Sequence, residues 1–244
     1  AFSYDNALTA MAFISGGRQA EAKVILDAFV QSVKNDRYRP DRIRNAYVYG
    51  RPDSFPGWGG RTRLPGFYSQ ADRTYYEDQY QVGTNVGNSS FVALALMQYH
   101  LRFADLSYLN TARLAMDWVL NECADPSGDS FFAGYDGWPE SGAAQRFTYK
   151  SIEHNIDAYA AFDGLHKLTG ETKYKDAAQS ALRFVNSMYD DEKGLFYTGT
   201  VSDGSTPNRD NIVLDAQVWS ALALGDLFTP YESAARYGLG AERV

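Results

Sequence analysis

The sequence predicts an all-α chain assembled from helical hairpins, and three observations carry that prediction. Apolar residues recur at helical spacing in stretch after stretch along the 244 residues. Strand-like runs stay below about five residues and never alternate with helices, as a parallel sheet would require. A shift of 66 residues lays one hairpin over another.

The first helix spans 4–15, where Gly16-Gly17 closes the apolar pattern as a C-cap does. The second spans 18–34, with Ala22, Ile25, Leu26, Phe29 and Val33 on one stripe and charge opposite. No helical period returns until about Asn88, and a connection of that length inside a compact domain is usually functional. A third helix then carries Phe91, Leu94, Leu96 and Tyr99 to Phe103, and a polar cap at Asn88 or Ser89 opens it. Further helices follow over 107–122, 151–168, 173–189 and 213–224, and Pro230 opens an eighth.

The 66-residue shift pairs His100 with His166, Asp105 with Glu171, Tyr108 with Tyr174, Ala112 with Ala178 and Trp118 with Phe184. Within each unit the turn is short and polar, whereas the link to the next hairpin is long. Short turns therefore gather on one face and long loops on the other.

Composition narrows the function. Thirty acidic against 23 basic residues give a net charge of −7, which leaves no summed positive field for nucleic acid or anionic lipid. No apolar run approaches the ~20 residues of a membrane span, and no signal-peptide pattern opens the chain. The single cysteine, Cys123, forms neither an internal disulfide nor a zinc site. Asp203-Gly204-Ser205 and Asp190-Asp191-Glu192 read as exposed turns, so no metal or cofactor is expected. Aromatic residues make up 15% of the chain, and many lie among Gly, Pro and Arg in the long loops, where solvent-facing rings point to a ligand.

Inner helices opened by an acidic residue, outer helices behind a short Gly-Asp/Glu-x-x-Tyr-like turn, and long aromatic loops together resemble the six-hairpin glycosidase superfamily, the (α/α)6 toroids. The resemblance covers nearly the whole chain and implies one α/α-toroid domain over 1–244. Only four hairpins can be counted, so the expectation is a fragment, an open ring, or a ring completed by another chain. Its members include glucanases, uronyl hydrolases, sugar epimerases and polysaccharide lyases, so fold alone does not select a reaction.

In such toroids the inner-helix starts and the long loops meet at one mouth. The resemblance therefore places Asp5, Asp157 and Asp215, each ahead of a small-residue-rich apolar helix, against the substrate. Carboxylates also favour helix N-termini for capping and dipole reasons alone. Glycoside hydrolysis needs two carboxyl groups flanking the scissile bond. Glu153 lies four residues before Asp157, on the same helical face, and beside His154 among aromatic loops, a setting that raises a carboxyl pKa. Glu153 is the expected acid, with Asp215 or Asp5 as base.

Trp58 and Trp138 sit among turn residues, where sugars stack on exposed rings through their C–H faces. Tyr80, Gln81 and Asn85 in the polar run before the third helix, with Tyr135, His154 and Trp219, complete the expected sugar contacts. His100 and His166 fall late in their helices, on the short-turn face, which disfavours an epimerase using two facing histidines. The leading expectation is a glycoside hydrolase acting on a poly- or oligosaccharide, exported to an extracellular or periplasmic location. The alternatives are a lyase, for which Arg42, Arg44, Arg51, Arg61, Arg63 and Arg73 could neutralise a uronate, and a non-catalytic glycan-binding or assembly-forming toroid.

Overall fold

A computed structural model describes residues 1–36, 41–47, 66–137 and 144–224. Trp58, Trp138, Arg51, Arg61, Arg63 and the expected helix from Pro230 lie outside the described residues. The chain divides into two compact units, Ala1–Glu122 with Gly134–Arg146, and Cys123–Ala133 with Phe147–Val244.

In the first unit, α1 (Ser3–Ser15) and α2 (Gln19–Lys34) form a hairpin, and α1 also packs on α4 (Val86–Phe103). Helix α2 is amphipathic and buries Ala22, Leu26, Phe29 and Val33 of the predicted stripe, with Ile25 half-buried. Helix α4 is contacted by α1, α2 and α5 (Leu109–Trp118), which is why Val92, Ala93, Ala95, Leu96 and Tyr99 around it are all buried. The predicted single helix over 107–122 is in fact three pieces: a 3-10 turn at Leu106–Tyr108, α5, and a widened π turn at Val119–Cys123. Asp105 caps the first piece by accepting from the Ser107 N–H at 2.8 Å. The Tyr108 hydroxyl donates to Asp27 at 2.6 Å and ties that turn to α2.

Short strands fill the connections. β1 (Gly66–Ser69) and β2 (Thr74–Glu77) pair antiparallel, with Phe67 opposite Tyr76. After the single turn α3 (Gln79–Val82), β3 (Thr84–Asn85), β4 (Gly134–Asp136) and β5 (Gln145–Arg146) form a three-stranded antiparallel patch in the order β3-β4-β5. The cap of α4 is Asn85, not Asn88 or Ser89. Its backbone N–H donates to Asn45 Oδ1 at 2.8 Å, and Asn88 donates to the same oxygen at 2.7 Å.

In the second unit, α6 (Ile152–Thr169) packs on both α7 (Thr172–Ser187) and α8 (Leu214–Leu224). The antiparallel pair β6 (Tyr189–Asp190) and β7 (Leu195–Phe196) follows α7. Ile152, Ile156, Phe184, Val185, Met188, Phe196, Ala216 and Leu224 form one buried cluster under these elements. No described helix is long and apolar enough to cross a membrane.

Candidate functional site

Two helix starts in the second unit bring carboxyl groups together. Helix α6 begins after Ser151, whose side-chain oxygen accepts the His154 N–H at 3.3 Å, so Glu153 stands in the first turn and Asp157 one turn deeper. Helix α8 carries Asp215 in its own first turn. Exposure grades along this set: Asp215 is exposed, Glu153 half-buried, and Asp157 only 4% exposed.

The three carboxyls act on one another electrostatically. Burial raises the Glu153 pKa, and the negative charge of Asp215 raises it further. Burial also raises the Asp157 pKa well above the usual range, with Glu153 adding to the effect. Both effects favour the neutral acid. Desolvation is the cause the sequence suggested, the charge of Asp215 adds to it, and His154 contributes no charge. Burial pushes the imidazole down to about 4, and its Nδ1 lies 3.1 Å from the Ala133 carbonyl, which can only accept. The ring is thus neutral, with its proton on Nδ1 and Nε2 as the remaining acceptor.

One extended segment, residues 195–200, ties the two helix starts together. The Ile152 N–H donates to the Thr198 carbonyl at 3.0 Å, and the Thr200 N–H to the Lys150 carbonyl at 2.9 Å. The Thr198 hydroxyl donates to the carbonyl of Asn211, in the lead-in to α8. Gly199 sits at φ +140°, where a Cβ would fall 2.0 Å from the Lys150 oxygen, so only glycine lets the segment lie this close to α6.

Two buried amides hold the helices from behind. Asn155 Oδ1 accepts the Phe131 N–H at 2.9 Å while Nδ2 donates to the Phe131 carbonyl at 3.0 Å. On α8, Gln217 does the same to Phe196, with both bonds at 2.9 Å. The sequence reading missed Asn155, Gln217 and Thr198. The available signal was an amide on the buried face of a small-residue helix, two positions after a first-turn acid.

Of the other expected residues, Asp5, Tyr80, Gln81, Asn85 and Tyr135 belong to the first unit and Trp219 to the second. Asp5 is an exposed carboxyl in the first turn of α1, in the first unit. Tyr80 is 56% exposed there. Gln81 is half-buried, and its backbone N–H donates to Asp78 at 2.9 Å. Asn85 caps α4, and Tyr135 places its ring edge-on to Trp118 at 5.8 Å and its hydroxyl 3.3 Å from the Glu122 carbonyl. Trp219 is half-buried against the core of the second unit, which gives it a packing role the sequence reading had not assigned. Arg42 and Arg44 are fully buried, and Arg44 pairs with the buried Asp36, so neither meets a substrate carboxylate. The Asp203 and Asp190 carboxylates each accept backbone N–H groups of their own turns.

No protein-family model matches the chain, and no curated protein matches it in sequence. Solved structures do match it in fold. A family 76 α-mannanase from Bacteroides thetaiotaomicron superposes with a TM-score of 0.58 at 13% identity, over 99% of this chain and 62% of its own. A cellobiose 2-epimerase from Bacillus thermoamylovorans gives 0.60 at 12% identity, over 100% and 60%. The fold these proteins share with the chain is an α/α toroid of helical hairpins. An α-amylase from Clostridium perfringens shares it, with a TM-score of 0.60 at 11% identity over 92% of this chain and 55% of its own. The chain thus spans about three-fifths of the length of these toroid proteins.

Proposed function

We propose that this chain belongs to a glycoside hydrolase in which Glu153 protonates the departing glycosidic oxygen and Asp215 activates water. The observation that carries the reading is the coupling across α6 and α8. Glu153 is desolvated and kept acidic by the field of Asp215, whereas Asp215 itself stands in solvent, where a base that handles water must be. One carboxyl biased toward the protonated form beside a second in water is the asymmetry that hydrolysis of an acetal requires. Asp157, behind Glu153, keeps its proton and adds no charge while it does so.

The toroid neighbours named as a mannanase and an amylase support a glycan substrate, poly- or oligomeric, and a polymeric glycan would place the working enzyme outside the cytoplasm. The neighbour named as an epimerase raises a second reaction on the same fold, but a pair of facing histidines is not at this site. His166 is twelve residues beyond His154 on α6, about 18 Å along the helix axis. The lyase reading loses Arg42 and Arg44 to the buried interior of the first unit.

The test is a reducing-end assay over a panel of neutral glycans with wild type, Glu153→Gln and Asp215→Asn. Release of reducing ends by wild type alone, without the ultraviolet absorbance of an unsaturated product, is the expected result. An equally active Glu153→Gln variant would remove Glu153 from the reaction.

A further inference from the structure

We propose that Gln217 is a positioning residue that sets the register between Glu153 and Asp215 by gripping the segment 195–200, while Asn155 anchors α6 separately to Phe131. This rests on the acid and base assignment above. Each amide makes a two-point bond with a single backbone residue, Phe196 or Phe131, and each is fully buried. A primary amide offers an acceptor oxygen and an NH2 donor group side by side, so a two-point bond to one backbone residue fixes both rotation and translation of its helix against that backbone.

The path between the acids is short and continuous. Asp215 is two residues from Gln217 on α8, Gln217 grips Phe196, and Thr198 two residues further takes the N–H of Ile152, which adjoins Glu153. The Thr198 hydroxyl closes the loop by reaching the lead-in to α8 at Asn211. Asn155 anchors α6 to Phe131 independently, so α6 does not slide when the segment is pulled. Among the described residues, the starts of α1 and α4 do not repeat the device. Two residues after Asp5, helix α1 has Ala7, and the position of α4 that the 66-residue shift pairs with Asn155 is Ser89, whose buried hydroxyl has no partner among the described residues.

The experiment separates this idea from the acid and base assignment by reading the Glu153 carboxyl directly. Glutamate-labelled full-length protein is titrated by carbon NMR as wild type, Asp215→Asn, Gln217→Met, Thr198→Val and Ala178→Gly. The last variant weakens α7 without touching the network. Glu153 faces Asp157 on its own helix and Asp215 on α8, with neutral His154 beside it, so a looser α8 weakens the field of Asp215.

Gln217→Met is expected to lower the Glu153 pKa toward its Asp215→Asn value, and Thr198→Val to do so by less. On an active glycan, kcat falls by about tenfold or more in Gln217→Met with KM within about twofold, because misplacement costs the transition state more than binding. Gln217→Glu restores both values, since a protonated carboxyl also offers Phe196 one donor and one acceptor. An unchanged Glu153 pKa in Gln217→Met and Thr198→Val overturns the proposal, as does the same shift in Ala178→Gly. Should Gln217→Met not fold, Thr198→Val decides. If wild type cleaves no glycan, the hydrolase reading fails while the titration still judges the network.

Discussion

Helices α4 and α6 are the same length, 18 residues each, and the 66-residue shift places them in register from cap to cap, yet only one of them carries acids. Where α6 has Ser151 as its cap, α4 has Asn85; where α6 has Glu153, Asn155 and Asp157, α4 has Gly87, Ser89 and Phe91. Phe91 and Asp157 are both buried, at 7% and 4% exposure. The aromatic ring satisfies that position by packing edge-on to Tyr4 at 4.7 Å, whereas burial raises the pKa of the carboxyl well above its usual range. Fold therefore does not require the acids on α6. Burying a carboxyl there is costly for stability.

Replacing the acid that distinguishes α6 has the largest expected effect. Glu153→Gln is expected to lower kcat on any glycan the wild type cleaves by about 10²–10⁴-fold, the range for loss of a general acid, while the melting temperature holds or rises. Asp215→Asn comes next. It removes the proposed base and also the charge that raises the Glu153 pKa, so the upper limb of any residual pH profile for kcat/KM moves to lower pH. An upper limb that stays in place would separate the two carboxyls.

Much of this comparison was legible in the sequence. The helix periods, the 66-residue repeat and the acids at helix starts are local patterns, and α1, α2, α6, α7 and α8 lie within about two residues of their predicted bounds. The α5 region was read as one helix because a 3-10 entry and a π exit leave the apolar period nearly intact. The network behind the acids was not legible. β7 has two residues, and Phe196 and Gln217 are 21 positions apart, so their bond has no periodic signature. The edge-on contact of Tyr135 with Trp118, 17 positions away, likewise has no periodic signature.

Asp157→Asn tests the buried position itself and acts on stability more than rate. The folded state holds the Asp157 proton more tightly than the unfolded chain, whose aspartates titrate near about 3.9. Its stabilising contribution is complete below that pH and is lost as pH rises through the higher folded pKa. The variant is expected to match wild type in melting temperature at pH 3 and exceed it at pH 7. His154 shifts the other way: its folded pKa of about 4 lies below the usual 6.5, so it supports folding above that value and loses the support as pH falls through 4. That loss is common to both proteins and cancels in the difference. A variant less stable than wild type at pH 7 would mean that Asp157 is ionised and held by a partner in the fold.

The smallest effect comes from the far ends of the same two helices. Ala104 closes α4 and Gly170 closes α6 at matching places, both in the left-handed region, at φ 55° and 74°, and both taking the N–H bond to the carbonyl of the repeated histidine at 2.8 Å. Alanine is strained there and glycine is not. Space does not decide the matter, because a Cβ at Gly170 would meet nothing within 4 Å. Ala104→Gly is expected to stabilise the chain by about 0.5–1 kcal/mol, the strain relieved less the extra freedom of glycine in the unfolded chain. Gly170→Ala is expected to cost about 1 kcal/mol by the same reasoning. Denaturant midpoints with unchanged slopes measure both. Opposite signs would show that the two hairpins share one turn geometry and differ only in how well the residue suits it, whereas a shared sign would place the difference between α4 and α6 in the turn as well as in the acids.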